Sequence, residues 1–142
     1  RNRTFKKIYL AEINGHLENK TGTLENYLVK NEKKNMSLIS DKNDNGAKLA
    51  KLDYEVVREN ESTSIVRVTL HTGRHHQIRC QLAKIGCPIK GDLKYGSPRS
   101  NPDGSICLHA RRVTFVHPVS KELIDVTAPL PSGNLWNGFD ME

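Results

Sequence analysis

Apolar residues recur at every second position near the start of the chain. Lys7, Tyr9, Ala11 and Ile13 fall on one side and Ile8 and Leu10 on the other, the two-residue period of a half-buried strand. The same alternation returns at Leu52, Tyr54 and Val56, and again at Val66, Val68 and Leu70. The polar stretch from Glu59 to Thr63 separates these two runs, which predicts a hairpin. Leu108 to Val116 and Leu123 to Thr127 predict two further strands, joined through His117-Pro118-Val119-Ser120-Lys121. The period changes at two places. Leu24, Tyr27 and Leu28, following Thr23 as a candidate cap, predict one or two helical turns. Ile78, Leu82 and Ile85, at i, i+4 and i+7, predict a helix that buries this stripe and ends at Gly86.

The remaining segments read as connections. Lys30 to Lys48 is rich in Lys and Asn and contains the turn signal Asp44-Asn45-Gly46; it predicts a surface excursion with a short strand at Met36 to Ile39. Pro88 and Gly91 shape the loop after the helix, and Ser97 to Ser105, with two prolines and a glycine, is also loop. The stretch 129–142 predicts an irregular tail with Trp136 as its one anchor. No internal repeat is visible. Several hairpins and only two short helices predict one α+β domain over residues 1–142, a mixed, largely antiparallel sheet with a few packed helices.

Composition narrows the partners. With 142 residues, 36% of them hydrophobic, a packed core is within reach. The 22 Lys+Arg against 16 Asp+Glu leave a net charge of +6. That excess suits a polyanion, nucleic acid first, slightly ahead of a solvated basic surface. Cys80, Cys87 and Cys107 contain no Cys-x-x-Cys pair, so no disulfide framework is implied and a reducing, cytoplasmic setting is expected. No apolar run approaches membrane-spanning length and no signal peptide is visible. The chain opens at Arg1, almost directly into a strand, and is expected to be part of something longer.

One run stands apart: His71-Thr72-Gly73-Arg74-His75-His76-Gln77-Ile78-Arg79. It reads as a strand end, a glycine turn at Gly73 and a helix that opens with cations. Helix N-termini carry partial positive charge and favour anions, so cations gathered there predict an anion among them. Arg79 adjoins Ile78 at the edge of the apolar stripe. From there a guanidinium either reaches into a cleft, where it can grip a carboxylate bidentately, or snorkels over the core. Arg74, His75 and His76 suit phosphate contacts or simple exposure. Tyr9 shares its strand face with the small Ala11, leaving room for a base to stack on the ring; the alternative is a core tyrosine. Gly91, Asp92, Tyr95 and Gly96 form a turn-rich loop in which Asp92 is expected to cap backbone N–H groups. His76 and Cys80 lie four residues apart, with His71 and Cys87 nearby, a spacing compatible with zinc; the cationic surroundings and the lack of a complete close pair argue against a metal.

Leu70-His71-Thr72-Gly73-Arg74-His75-His76-Gln77-Ile78-Arg79, followed by Gly86-Cys87-Pro88-Ile89-Lys90-Gly91-Asp92-Leu93-Lys94-Tyr95-Gly96, resembles the RluA family of RNA pseudouridine synthases. Lys7-Ile8-Tyr9-Leu10-Ala11 resembles that family's Lys-x-Tyr-x-Ala strand, and Leu52-Asp53-Tyr54-Glu55-Val56 its next strand. Leu108-His109-Ala110 and Phe115-Val116-His117-Pro118 match two late motifs, so the likeness runs from about Phe5 to about Pro131. It implies isomerisation of uridine to pseudouridine in ribosomal or transfer RNA, without metal or cofactor and with no obligate protein partner. It also implies that Arg79 and Tyr9 are catalytic, Arg79 pairing with a nucleophilic aspartate and Tyr9 packing on the uracil. Arg74, His75, His76 and Gln77 would then meet RNA. Two departures appear. Cys80-Gln81 stands where many members have Val-His, and the His-Arg-Leu-Asp nucleophile motif is absent from these residues. The resemblance therefore predicts the C-terminal part of a catalytic domain, inactive alone; the alternative is a non-catalytic basic RNA-binding module. It further requires that Tyr9 and Arg79 line one cleft with Arg74 at its rim. Arg79, lacking its usual carboxylate, should be open to solvent or held by a substitute acceptor.

Overall fold

The computed structural model describes residues 6–117 and 119–128. The tail expected at 129–142, with Trp136, lies outside the described residues, as does Pro118. Seven strands form one sheet: β1 (Lys6–Asn14), β2 (Thr21–Asn31), β3 (Met36–Ser40), β4 (Lys48–Glu59), β5 (Thr63–Leu70), β6 (Leu108–Val116) and β7 (Leu123–Thr127). Their spatial order is β3-β2-β4-β5-β1-β6-β7. Every strand pair among the described residues is antiparallel, in keeping with the largely antiparallel sheet expected. Three of these six pairings, β2–β3, β4–β5 and β6–β7, are hairpins between consecutive strands, and short turns join strands only in antiparallel fashion. One α-helix, α1 (Gln77–Lys84), and a 3-10 turn at Leu93–Tyr95 pack on the sheet. No helix among the described residues is long and apolar enough to cross a membrane.

The core lies between α1 and one face of the sheet. Ala11 and Ile13 of β1, Leu52 and Tyr54 of β4, and Val66 and Val68 of β5 meet Ile78 and Leu82 of α1, with Cys87, Ile89 and Cys107 closing the side. The register places Ala11 opposite Val66 and Tyr54 opposite Val68, so alternation delivers each apolar residue to one face. Asp53, Glu55 and Arg67, between them, face the other way.

Three expectations change. Residues 21–31 form a strand where helical turns were expected. β2 pairs on both sides, with β3 and β4, and sets Leu24 opposite Leu52 and Asn26 opposite Ala50. Two ladders of backbone hydrogen bonds outweigh a three-residue helical period. The helix begins only at Gln77, so Arg74, His75 and His76 belong to the turn before it, and the left-handed residue of that turn is His76 (φ 53°) rather than Gly73. Ile85, expected in the buried stripe, is 41% exposed. The helix closes with Gly86 N–H donating to Ala83 O (3.0 Å) and Cys87 N–H to Leu82 O (3.0 Å). That closure puts Cys87, rather than Ile85, against the core.

After α1, residues 88–90 stitch the helix to the sheet. Lys90 N–H donates to Glu12 O (2.8 Å), Cys107 N–H to Lys90 O (3.0 Å), and Glu12 N–H to Cys107 O (2.9 Å). These bonds fix the loop that carries Asp92 and Tyr95.

Candidate functional site

A cavity of about 310 Å3 opens beside the N-terminal end of α1. Its apolar floor is Leu70, Ile78, Ile106 and Leu108, with Tyr9; its polar wall is Arg74, His76, Gln77 and Arg79. Tyr9 and Arg79 thus line one concavity, and exposed Arg74 stands with them. The volume falls within the roughly 300–1,000 Å3 of small-molecule pockets. Tyr9 reaches it by strand alternation, on the core-facing side of β1 with Ala11 and Ile13, and it lies across from the small Ala110 of β6.

Arg79 is gripped on several sides. Its Nε–H and Nη2–H donate to Asp92 Oδ2 and Oδ1, both at 2.9 Å. Asp92, expected to cap backbone groups, makes no side-chain cap; it is the substitute acceptor for Arg79 and is only 1% exposed. The Arg79 side chain keeps 20% exposure. Its Cζ lies 5.1 Å from the centroid of the Tyr95 ring. The hydrogen bonds to Asp92 hold the guanidinium above its usual basicity, against the pull of burial.

The third in-plane contact of Arg79 is Nη1 to His76 Nε2, 3.0 Å. A guanidinium only donates, so Nε2 accepts and the ring proton sits on Nδ1. Nδ1–H then donates to Tyr95 Oη at 2.9 Å, and Ser37 N–H donates to the same oxygen at 2.8 Å. Burial, followed by the charges of Arg79, His75 and Lys94, pushes His76 down to about 4, with Asp92 opposing. His75 stacks on His76 at 3.8 Å and is also lowered, chiefly by burial. The unfolded chain therefore binds more protons than the folded one between pH 6.5 and about 4. Stability is expected to fall as pH drops through that window, above the range in which the paired carboxylates titrate. The urea midpoint measured at about pH 6.5, 5.5 and 4.5 checks this; a flat profile would contradict it.

Other expected site residues are placed differently. Gln77 is 3% exposed and turned inward. Its Oε1 accepts from Thr72 Oγ1 (2.7 Å) and Arg74 N–H (3.0 Å), and its Nε2 donates to Lys51 O (3.1 Å). Its amide shapes the turn rather than being presented to RNA. Arg74 donates through Nε to Leu49 O (2.7 Å), which orients the guanidinium at the cavity edge. Gly91 and Gly96 take left-handed conformations, as a shaped loop requires. The His76–Cys80 spacing leads to different neighbourhoods: Cys80 Sγ donates to Ser37 O (3.3 Å), and burial pushes its thiol up to about 11.

A second concavity, about 400 Å3, lies on the opposite face, lined by polar groups of β2, β4 and β5. Arg67 pairs with Glu55 within it, and Asp53 accepts hydrogen bonds from Thr23 within it and from His71 beside it. It lacks the apolar floor of the first.

The comparisons with known proteins bear on the same residues. The family model described as RNA pseudouridylate synthase matches residues 1–84. The chain belongs to this family. An uncharacterized RNA pseudouridine synthase of Bacillus subtilis (strain 168), YhcT, is 35% identical over 133 residues, covering 92% of this chain and 42% of that protein. The dual-specificity RNA pseudouridine synthase RluA of Pasteurella multocida (strain Pm70) is 35% identical over 139 residues, covering 91% of this chain and 59% of that protein. The structure of human RNA pseudouridylate synthase domain containing 1 superposes with a TM-score of 0.71 at 26% identity, covering 89% of this chain and 55% of that one. The chain thus spans about half the length of the pseudouridylate synthase relatives it matches.

Sequence reasoning gave Asp92 and Tyr95 only a structural role in the loop and did not single out Ser37. No local signal marked them: Asp92 stands between Lys90 and Lys94, a charged setting that does not announce a buried carboxylate.

Proposed function

We propose that this chain forms the uridine-receiving part of an RNA pseudouridine synthase, acting on ribosomal or transfer RNA in the cytoplasm without an obligate protein partner. The observation that carries the reading is Tyr9 and Arg79 lining one cavity, with Arg74 beside them. Pseudouridine formation breaks the bond between the ribose and a uracil nitrogen and rejoins the sugar to a ring carbon. The base must leave its stack to be reached. The Tyr9 ring offers a flipped uracil a flat partner, the apolar floor excludes water, and Arg79 supplies cationic N–H donors. Arg74 faces the phosphates that flank the flipped nucleotide. Three buried, unpaired cysteines accord with a reducing compartment.

Among the described residues, no aspartate lines the cavity, and Asp92 is occupied by Arg79. The chain by itself is therefore expected to bind uridine-containing RNA without converting it. Fluorescence anisotropy with an RNA hairpin should show affinity falling steeply with salt, as released counterions require. Arg74→Ala should lower the log–log salt slope by about one and weaken unrelated RNAs alike. Tyr9→Ala should weaken binding by about 1–3 kcal/mol, the scale of a base–aromatic stack. Binding insensitive to both salt and Tyr9 would overturn the reading, as would pseudouridine detected by nucleoside mass spectrometry at ordinary enzymatic rates.

A further inference from the structure

Arg79 has five N–H bonds to give. Asp92 takes two and His76 one, leaving one N–H on each terminal nitrogen without a side-chain acceptor among the described residues. Asp92 grips a single edge of the guanidinium, and a plane held along one edge can still rock. His76 adds a third point in the plane, and the Tyr95 ring bears on its face. His76 can do this only because Tyr95 Oη accepts its Nδ1–H and so fixes the tautomer. Tyr95 in turn is held by Ser37 N–H, from the edge strand β3. Ser37 is buried and binds this region three times more. Its Oγ donates to His75 O (2.5 Å) and accepts from His75 Nδ1 (3.2 Å), and its carbonyl accepts from Cys80 Sγ (3.3 Å). His76 holds a left-handed backbone, φ 53°, while its ring bonds both partners at once.

We propose that His76 and Tyr95, anchored by Ser37, are positioning residues that fix the direction in which Arg79 presents its two remaining N–H bonds to the cavity. That these bonds meet a uridine rests on the function proposed above; the positioning itself does not. A neutral His76 is essential to it, because a protonated ring would turn an N–H toward Arg79 Nη1. The groups that face His76 are Arg79 from α1, Asp92, Lys94 and Tyr95 from the loop after it, His75 in the same turn, and Tyr9 across the cavity. Lys94 is tied back to Lys34 O and Asn35 O at the tip of the β2–β3 hairpin.

Two substitutions separate positioning from mere packing. Asn at this position places its amide where Nδ1 was, and tolerates the left-handed backbone. It keeps the link to Tyr95 and loses the acceptor for Arg79. Gln reaches the Nε2 position and can restore that acceptor. Long-range 15N–1H correlation spectra of the full chain at about pH 7 should show His76 protonated at Nδ1 and bare at Nε2. The Arg79 Nε–H should exchange slowly with water in the wild type. It should exchange about tenfold faster in His76→Asn and Tyr95→Phe, the scale of one hydrogen bond to a charged group, and recover in His76→Gln. On acidification its shift should move together with the titration of His76. Affinity for a uridine-containing RNA hairpin should follow the same order, Gln above Asn by about tenfold.

An Nε2-protonated or charged His76 at neutral pH in the wild type overturns the proposal, and this measurement needs no variant to fold. Equal Arg79 exchange in the Asn and Gln variants overturns it as well. If the wild type does not bind the RNA hairpin at low salt, the uridine reading fails, while the tautomer and exchange results still decide the positioning role.

Discussion

Arg79→Leu is expected to destabilise the fold by about 3–5 kcal/mol, the penalty for breaking a buried ion pair from one side. The magnitude follows from asymmetry in the pair. Asp92 is 1% exposed and both its oxygens are bonded to Arg79. Removing the guanidinium strands a carboxylate with no water to replace its partner. Asp92→Asn should cost less, about 1.5–3 kcal/mol, the range for hydrogen bonds to charged groups. The amide keeps one acceptor, and Arg79 retains 20% exposure and its bond to His76. The double substitution Arg79→Leu with Asp92→Asn should then be more stable than Arg79→Leu alone, because no charge remains stranded. Urea unfolding at neutral pH of the three variants and the wild type closes the cycle. Equal losses for the two single variants, or strict additivity in the double, would show that the pair does not act as a buried unit. Because Arg79 also lines the cavity, its variants report on stability and binding together; Asp92→Asn, outside the lining, is the better gauge of the support alone.

The second large effect is expected at Gly91, where Ala should cost about 3 kcal/mol or more through a left-handed backbone and steric overlap acting together. Gly91 has φ +90°, and an added Cβ would lie 2.5 Å from Asn101 Nδ2 and 2.7 Å from Ser105 O. The second of these is backbone, in a segment that Asn101 itself braces by donating to Ser105 O at 2.8 Å. The loop must open to admit the methyl group, and the next residue is Asp92. Gly86 is the internal control. Its φ is +86°, nearly the same, and nothing lies within 4 Å of the place an added methyl group would take. Gly86→Ala should therefore lose only the conformational part, about 1 kcal/mol. Chemical denaturation of both variants isolates the steric contribution as their difference. Losses of the same size would mean that the space around Gly91 is slack and that the loop does not hold Asp92 firmly.

Both effects concern how a cation is supported beside the cavity. The floor of that cavity comes from β5, α1 and the residues leading into β6, while Asp92 and Tyr95 come from the loop after α1. A chain segment of this family thus carries the cavity with its tyrosine and arginine already assembled. The proposed chemistry also needs a carboxylate that the described residues do not place there.

Much of this was legible in the sequence, for a physical reason. The hairpin around residues 59–63, the strands at 108–116 and 123–127, and the Gly86 helix stop are governed by neighbours in the chain, and alternation or a terminating glycine records such neighbours directly. The family likeness also rested on local runs, from Lys7-Ile8-Tyr9 to Gly91-Asp92, and it linked Tyr9 with Arg79 across the length of the chain. What only the tertiary structure decided depends on segments distant in sequence meeting. Residues 21–31 became a strand because β3 and β4 both pair with them, which a helical spacing of three apolar residues cannot reveal. Tyr9 lies on the face that alternation gives it, but the cavity it lines exists only because α1, Ile106 and Leu108 pack beside β1. Asp92 became a buried counter-ion, and His76 a neutral, left-handed acceptor, because α1, the following loop and β3 converge on one guanidinium. Residue type supplied a carboxylate, an imidazole and a phenol; burial and hydrogen-bond direction, which exist only once the chain has packed, gave each its role.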